Sequence, residues 1–71
     1  MAQMLPYNHD TVHMFSKETP YVIRTKYDNF HIASIQKLRF SYTLSIWVWV
    51  STETGECFKG ENITHWLDIN I

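Results

Sequence analysis

The strongest pattern in the chain is an alternation of apolar and other residues between positions 38 and 51. All the even positions are apolar: Leu38, Phe40, Tyr42, Leu44, Ile46, Val48 and Val50. The odd positions hold one arginine, four hydroxyl residues and two tryptophans. A period of two is typical of a β-strand with one buried face. The pattern predicts a central strand over about residues 40–52, with its even-numbered face in the core.

Similar patterns predict further strands on both sides of this one. Residues 53–56 have the composition of a turn, in which Gly55 can adopt a positive φ, and a returning strand should follow at residues 56–59. Upstream, apolar and polar residues alternate from Tyr21 to Tyr27, directly after Pro20, which is tolerated at the start of a strand. A short strand is also predicted at residues 11–15.

Two segments fit either a helix or a strand. In residues 30–38, Ile32, Ile35 and Leu38 share one helical stripe, although alternating apolar residues also fit a strand. In residues 62–70, Asn62 is a candidate helix N-cap, while the apolar residues that follow also alternate. We predict a short helix in each segment.

These elements predict an α+β fold for one small domain, residues 1–71. It would contain an antiparallel sheet of three to four strands, with one or two short helices on one face. A small all-β barrel is the alternative. A chain of 71 residues is near the lower size limit for a stable core, and Cys57, its only cysteine, cannot form an internal disulfide.

Charge and targeting patterns exclude several classes of protein. The net charge is −1, with five basic and three acidic residues in residues 1–40 (+2) and one basic and four acidic residues in residues 41–71 (−3). This asymmetry is too weak for a protein that clamps duplex DNA. The longest apolar run, residues 46–50, is far too short to span a membrane. With one cysteine and no export signal, we expect a cytoplasmic protein without membrane contact.

No group of residues in the sequence is typical of catalysis or of cofactor binding. Gly55 and Gly60 are isolated, so no phosphate-binding loop is present. His9 and His13 are four residues apart, but two ligands do not make a metal site. A core this small also leaves little room for a substrate pocket. We expect no enzyme activity, no catalytic residues, no cofactor, no metal and no small-molecule substrate.

Two tryptophans are the candidate binding residues. Trp47 and Trp49 lie on the odd face of the central strand, opposite the predicted core, where they would form an exposed apolar patch. We therefore predict that Trp47 and Trp49 anchor a partner, with Arg24, Lys26 and Arg39 around them, since tryptophan and arginine dominate interface energetics. The alternative is that the N-terminal segment covers both indoles with Met4, Leu5, Tyr7, Met14 and Phe15.

The function predicted from these observations is a non-catalytic protein–protein interaction module. It would be a small regulator or inhibitor that occludes a site on a larger partner, of the kind that phages and other mobile elements encode. The partner would be another protein or a second copy in a homodimer. One alternative is a single-stranded nucleic-acid binder, if Arg24 and Lys26 share the tryptophan face. Another is a homo-oligomeric structural subunit. On this interpretation, replacing Trp47 and Trp49 by alanine abolishes binding without unfolding the chain.

Overall fold

The computed structural model of the protein describes residues 3–69 and contains one open antiparallel sheet of six strands. The strands are β1 (Leu5–Pro6), β2 (Tyr21–Thr25), β3 (Phe30–Arg39), β4 (Ser45–Ser51), β5 (Cys57–Lys59) and β6 (Ile63–Leu67). Their order across the sheet is β1-β6-β2-β3-β4-β5. Two 3₁₀ turns, His9–Met14 and Gly60–Asn62, complete the elements. Within residues 3–69, no helix is long and apolar enough to cross a membrane.

The predicted α+β fold is therefore wrong, because both predicted helices are strands. Residues 30–38 belong to β3, and most of the predicted C-terminal helix is β6, although its last position, 70, lies outside the described residues. In β3, Ala33 and Ile35 enter the core while Ile32 faces the other side, so a strand places these residues better than a helix does. Pairing with β2 and β4 thus overrides the modest helix propensity of the segment.

The other predicted elements have mixed outcomes. The strand after Pro20, the central strand from Ser45 onward and the returning strand at residues 57–59 are confirmed, and Gly55 has a φ of 76°. Residues 40–44 of the predicted central strand are not a strand, because they form the turn between β3 and β4. Residues 11–15 are not a strand, since they fall largely within the first 3₁₀ turn. The alternative of an all-β chain describes the strands correctly, but the sheet is open and not a closed barrel.

The sheet is strongly curled, because a short connection joins two distant strands. Only Gly60–Asn62 separates β5 from β6, yet β4, β3 and β2 lie between them in the strand order. Four inter-strand spacings of a flat sheet would need about 19 Å. Four residue steps reach at most about 14 Å. The sheet must therefore bend, and its concave side encloses the core.

The core is formed by odd-numbered residues of the central strands. Ile23 of β2, Ile35 of β3 and Trp49 of β4 are each 0% exposed, and Ile35 and Trp49 are register partners. The remaining members of the core cluster are Val12, Tyr21, Ala33, Phe58 and Ile63.

The predicted orientation of the central strand is wrong, because its odd face is the buried one. Of the even-numbered series, Phe40, Tyr42 and Leu44 are exposed, and Val48 is buried on the opposite face, where it is the register partner of Gln36 and Lys59. Both faces of β4 are rich in large apolar residues, so alternation alone cannot choose between them. The choice follows from the register with β3, because a shift of one residue would exchange the two faces.

Gly60 is a position where packing requires glycine. It is buried at the start of the turn between β5 and β6, and a Cβ there would overlap the imidazole ring of His9. That ring is also fixed by a hydrogen bond of 2.8 Å between its Nδ1 and the hydroxyl of Tyr7.

We expect Gly60→Ala to lower the free energy of unfolding by about 1–3 kcal/mol, which is the usual cost of overpacking. Urea denaturation measures it. His9→Ala combined with Gly60→Ala should recover part of the loss, because the overlapping ring is gone. A Gly60→Ala variant as stable as the wild type would contradict the close packing of this turn.

Candidate functional site

Trp49, one of the two predicted anchors, is a core residue. It is fully buried, and its indole packs edge-on against the rings of Tyr7, Phe15 and Tyr21, with centroid distances of 5.8, 5.1 and 5.9 Å. The prediction that Trp49 lies on an exposed face is wrong, because the odd face of β4 is the concave side of the curled sheet. Trp49 is therefore not available to a partner in this structure.

The N-terminal segment provides the cover over Trp49. Phe15 is the centre of this cover, since its ring lies 4.8–5.8 Å from those of Tyr7, Tyr21, Trp49 and Trp66. Burial raises the pKa of the Tyr7 phenol. Met14, in contrast, is exposed and takes no part in the core cluster. The alternative in which the leading segment covers the indoles is thus correct for Tyr7 and Phe15 over Trp49.

Trp47, the second predicted anchor, is half-buried and has cations beside it. It lies on the same face as Trp49, two residues closer to the β3–β4 turn. The Nζ atoms of Lys17 and Lys37 lie 5.1 and 5.5 Å from the centroid of its ring, within the range of cation–π attraction. Trp47 therefore stays partly accessible, but next to two ammonium groups.

Arg24 and Lys26 are remote in the register from the two tryptophans. Arg24 points away from the core, pairs across the sheet with Phe30 and forms an ion pair of 2.6 Å with Asp28. Lys26 is exposed, with its ammonium 5.4 Å from the ring centroid of Tyr27. The nucleic-acid alternative required Arg24 to share the face of the tryptophans. Arg24 does not lie on that face, because the buried residues of β2 are the odd-numbered ones.

The β3–β4 hairpin extends beyond the rest of the sheet as a two-stranded ribbon, which we define as residues 37–47. In the register, residues 30–33 of β3 pair with β2, and residues 48–50 of β4 pair with β5. Residues 37–39 and 45–47 pair with each other, and no other strand of the described chain flanks them. The turn is closed by Ser41, whose Oγ accepts hydrogen bonds from the amides of Thr43 and Leu44.

Large apolar side chains are exposed at the end of the ribbon. Phe40, Tyr42 and Leu44 are 62%, 98% and 56% exposed. Leu38 and Ile46, which are register partners behind them, are half-buried. Tyr42 lines one cavity with Leu44 and a second cavity with Phe40, so the three side chains are neighbours. Exposed apolar side chains that cluster in this way are typical of binding sites.

Basic and hydroxyl groups lie beside these apolar side chains on the ribbon. Lys37 and Arg39 have odd numbers, like Trp47, and line a cavity of about 460 Å³ together with Ser41, Tyr42, Thr43, Leu44 and Ser45. Residues 34–48 contain no aspartate or glutamate. Neither Lys37 nor Arg39 has a carboxylate within ion-pair distance in the part of the chain that is described. Of the five predicted binding residues, only Trp47 and Arg39 thus lie in the same surface.

The surface includes four residues that our sequence interpretation did not select. Phe40, Tyr42 and Leu44 belong to the even series that was assigned to the core, and Lys37 lay in a predicted helix. One signal could have found them, because Ser41, Thr43 and Ser45 make the segment rich in turn-forming hydroxyl residues. Such a turn places its apolar neighbours at a hairpin tip.

No known protein family, curated protein or solved structure matches this chain.

Proposed function

We propose that this protein is a non-catalytic binding domain that attaches to a larger protein through its ribbon, residues 37–47, and regulates or inhibits that protein by covering a site on it. The observation that carries the proposal is the exposed apolar series Phe40, Tyr42 and Leu44 at the ribbon tip. The chain does not bury these side chains itself, and their burial by a partner would be favourable by about 25 cal/mol per Å² of apolar surface.

The shape of the ribbon supports insertion into a partner. Two strands without other neighbours can enter a cleft that a flat sheet cannot, and Phe40 and Tyr42 each carry an aromatic side chain with a large contact area. Aromatic residues near the centre of an interface dominate its energetics. The free, exposed thiol of Cys57 supports placing the protein in the reducing cytoplasm.

The experiment compares two double variants for retention of partner proteins from cells of the source organism. Phe40→Ser with Tyr42→Ser alters the ribbon tip. Tyr27→Ser with Phe30→Ser is the matched control, because these residues are 69% and 61% exposed at the opposite end of β3. We expect retention to fall more than tenfold for the ribbon variant and to stay within about twofold for the control.

Both variants should remain folded, since exposed substitutions usually change stability by less than about 0.5 kcal/mol. Thermal unfolding followed by far-UV circular dichroism checks this. Equal retention by the wild type and the ribbon variant, or a loss with the control alone, would contradict binding through the ribbon. Sedimentation of the purified chain tests the remaining possibility: a dimer that dissociates in the ribbon variant would make a second copy the partner.

A further inference from the structure

The β3 edge of the ribbon has free backbone groups. The hydrogen bonds from Thr52 N to Ile32 O and from Phe40 N to Leu44 O, each 2.9 Å, show that even-numbered residues of β3 direct their backbone groups towards β4. Because these directions alternate along an antiparallel strand, Lys37 and Arg39 direct theirs to the opposite edge. Both residues are exposed, whereas Ile35 is fully buried. The accessible edge is thus at Lys37–Arg39.

The charge beside this edge is positive. Lys37 and Arg39 line the ribbon cavity, and the ammonium groups of Lys17 and Lys37 lie 5.1 and 5.5 Å from the ring centroid of Trp47. No carboxylate of the described residues balances Lys37 or Arg39 at ion-pair distance. An incoming strand with acidic side chains on this face would supply the missing opposite charges.

Pairing of this edge with a second copy of the chain is unfavourable. An antiparallel pair of two β3 edges around Leu38 would bring Lys37 and Arg39 of one copy opposite the same residues of the other. Like charges directly across a sheet are destabilising, and lysine on an edge strand is a common protection against self-pairing. The edge is therefore suited to a foreign strand of opposite charge.

Single-stranded nucleic acid fits this surface less well than an acidic peptide. A base would need a free aromatic face on which to stack. The indole of Trp47 is approached by two ammonium groups, and a stacking base would have to displace them. A peptide carboxylate can contact the ammonium groups where they are.

We propose that the edge at Lys37–Arg39 binds an extended acidic segment of the partner protein as an added β-strand. The backbone N–H and C=O groups of Lys37 and Arg39 pair with those of the segment, and its carboxylates contact the cations of Lys17, Lys37 and Arg39. This mode of recognition draws affinity from main-chain hydrogen bonds and specificity from alternate side chains. The inference deepens the proposed function and rests on it.

Amide-resolved NMR of the full chain tests the edge directly. In the free protein, the amides of Lys37 and Arg39 should exchange with solvent at least tenfold faster than the amide of Leu38, which faces β4. Protection of all three amides to the same degree would show that the edge is already occupied and would overturn the proposal.

The probe is a capped seven-residue peptide of alternating threonine and glutamate, titrated at low salt. It should shift the amide signals of Lys37 and Arg39, slow their exchange, and bind more weakly as salt is added. A peptide with lysine in place of glutamate should not bind. A peptide of the same sequence in which every backbone nitrogen is methylated keeps the charge but lacks all backbone donors, and it should bind at least fivefold more weakly.

Two charge-reversal variants complete the experiment. Lys37→Glu with Arg39→Glu should abolish binding of the threonine–glutamate peptide. Lys26→Glu with Lys59→Glu changes the net charge equally at exposed positions elsewhere and should keep binding within about threefold. Equal binding to both variants, equal binding of the N-methylated peptide, or tighter binding of an eight-nucleotide oligothymidylate at this edge would overturn the proposal.

The outcomes separate this inference from the proposed function. If partner retention depends on Phe40 and Tyr42 but the acidic peptide does not bind, the edge proposal is wrong and the binding domain stands. If the peptide binds but no partner depends on the ribbon tip, the proposed function is wrong, and with it the biological meaning of the edge.

Discussion

Trp49→Ala should remove a large part of the stability of this domain. The residue is 0% exposed at the centre of the core and touches three other aromatic rings. Loss of such a side chain costs about 3–5 kcal/mol. A domain of this size typically has about 4–11 kcal/mol in total. We expect the melting temperature, measured by circular dichroism, to fall by roughly 15–30 °C.

Trp47→Ala is the matched control for this experiment. Trp47 is half-buried on the same face of the same strand, so its removal should cost less than about 2 kcal/mol. Trp49→Phe, which keeps an aromatic ring, should fall between the two. If Trp49→Ala melted at the same temperature as the wild type, this result would contradict the burial of the indole. It would then support the interpretation in which both tryptophans are exposed and bind a partner.

Phe15→Ala should uncover the core from the N-terminal side. Phe15 lies within 5.8 Å, centroid to centroid, of four other aromatic rings, but it is only half-buried, so we expect a loss of about 2–4 kcal/mol. The opened cover should also make tryptophan fluorescence more accessible to quenching by acrylamide. Met14→Ala is the control, since Met14 is 75% exposed, and it should change stability by less than about 0.5 kcal/mol.

Unchanged quenching and unchanged stability in Phe15→Ala would mean that the N-terminal segment does not hold the core closed. A loss of stability of equal size in Met14→Ala would show that the effect belongs to the whole segment and not to the Phe15 ring.

Strands with a single apolar pattern could be predicted from the sequence, but the orientation of the central strand could not. Tyr21, Ile23 and Thr25 alternate with Val22 and Arg24 directly after Pro20, and this pattern predicts β2 correctly. In β4, tryptophans at odd positions compete with aliphatic residues at even positions. The decision depends on Phe15 and on the register with β3, and both are tertiary information that a local pattern does not contain.

The candidate site could be predicted only in part, because its position also depends on tertiary contacts. An exposed apolar surface was expected near residues 40–50 and is present, but on the opposite face and at the hairpin tip. Arg39 and Trp47 do lie on the same face of the ribbon, whereas Arg24 and Lys26 do not join them, because β2 pairs only with residues 30–33 at the far end of β3. The predicted binding function was derived from Trp47 and Trp49. Trp49 belongs to the core, so the proposal now depends on Phe40 and Tyr42.

The position of β6 determines when this domain can fold during synthesis. β6 separates β1 from β2, and its Trp66 pairs with both Leu5 and Ile23. While β6 of a nascent chain has not yet left the ribosome, β1 has no neighbouring strand and one edge of β2 is open. Two of the five strand pairings, β1–β6 and β2–β6, therefore close last and over long sequence separations, which slows folding. Until then, Ile23 and the ring of Phe15 lack their contacts with Trp66, so the aromatic core stays open to other chains.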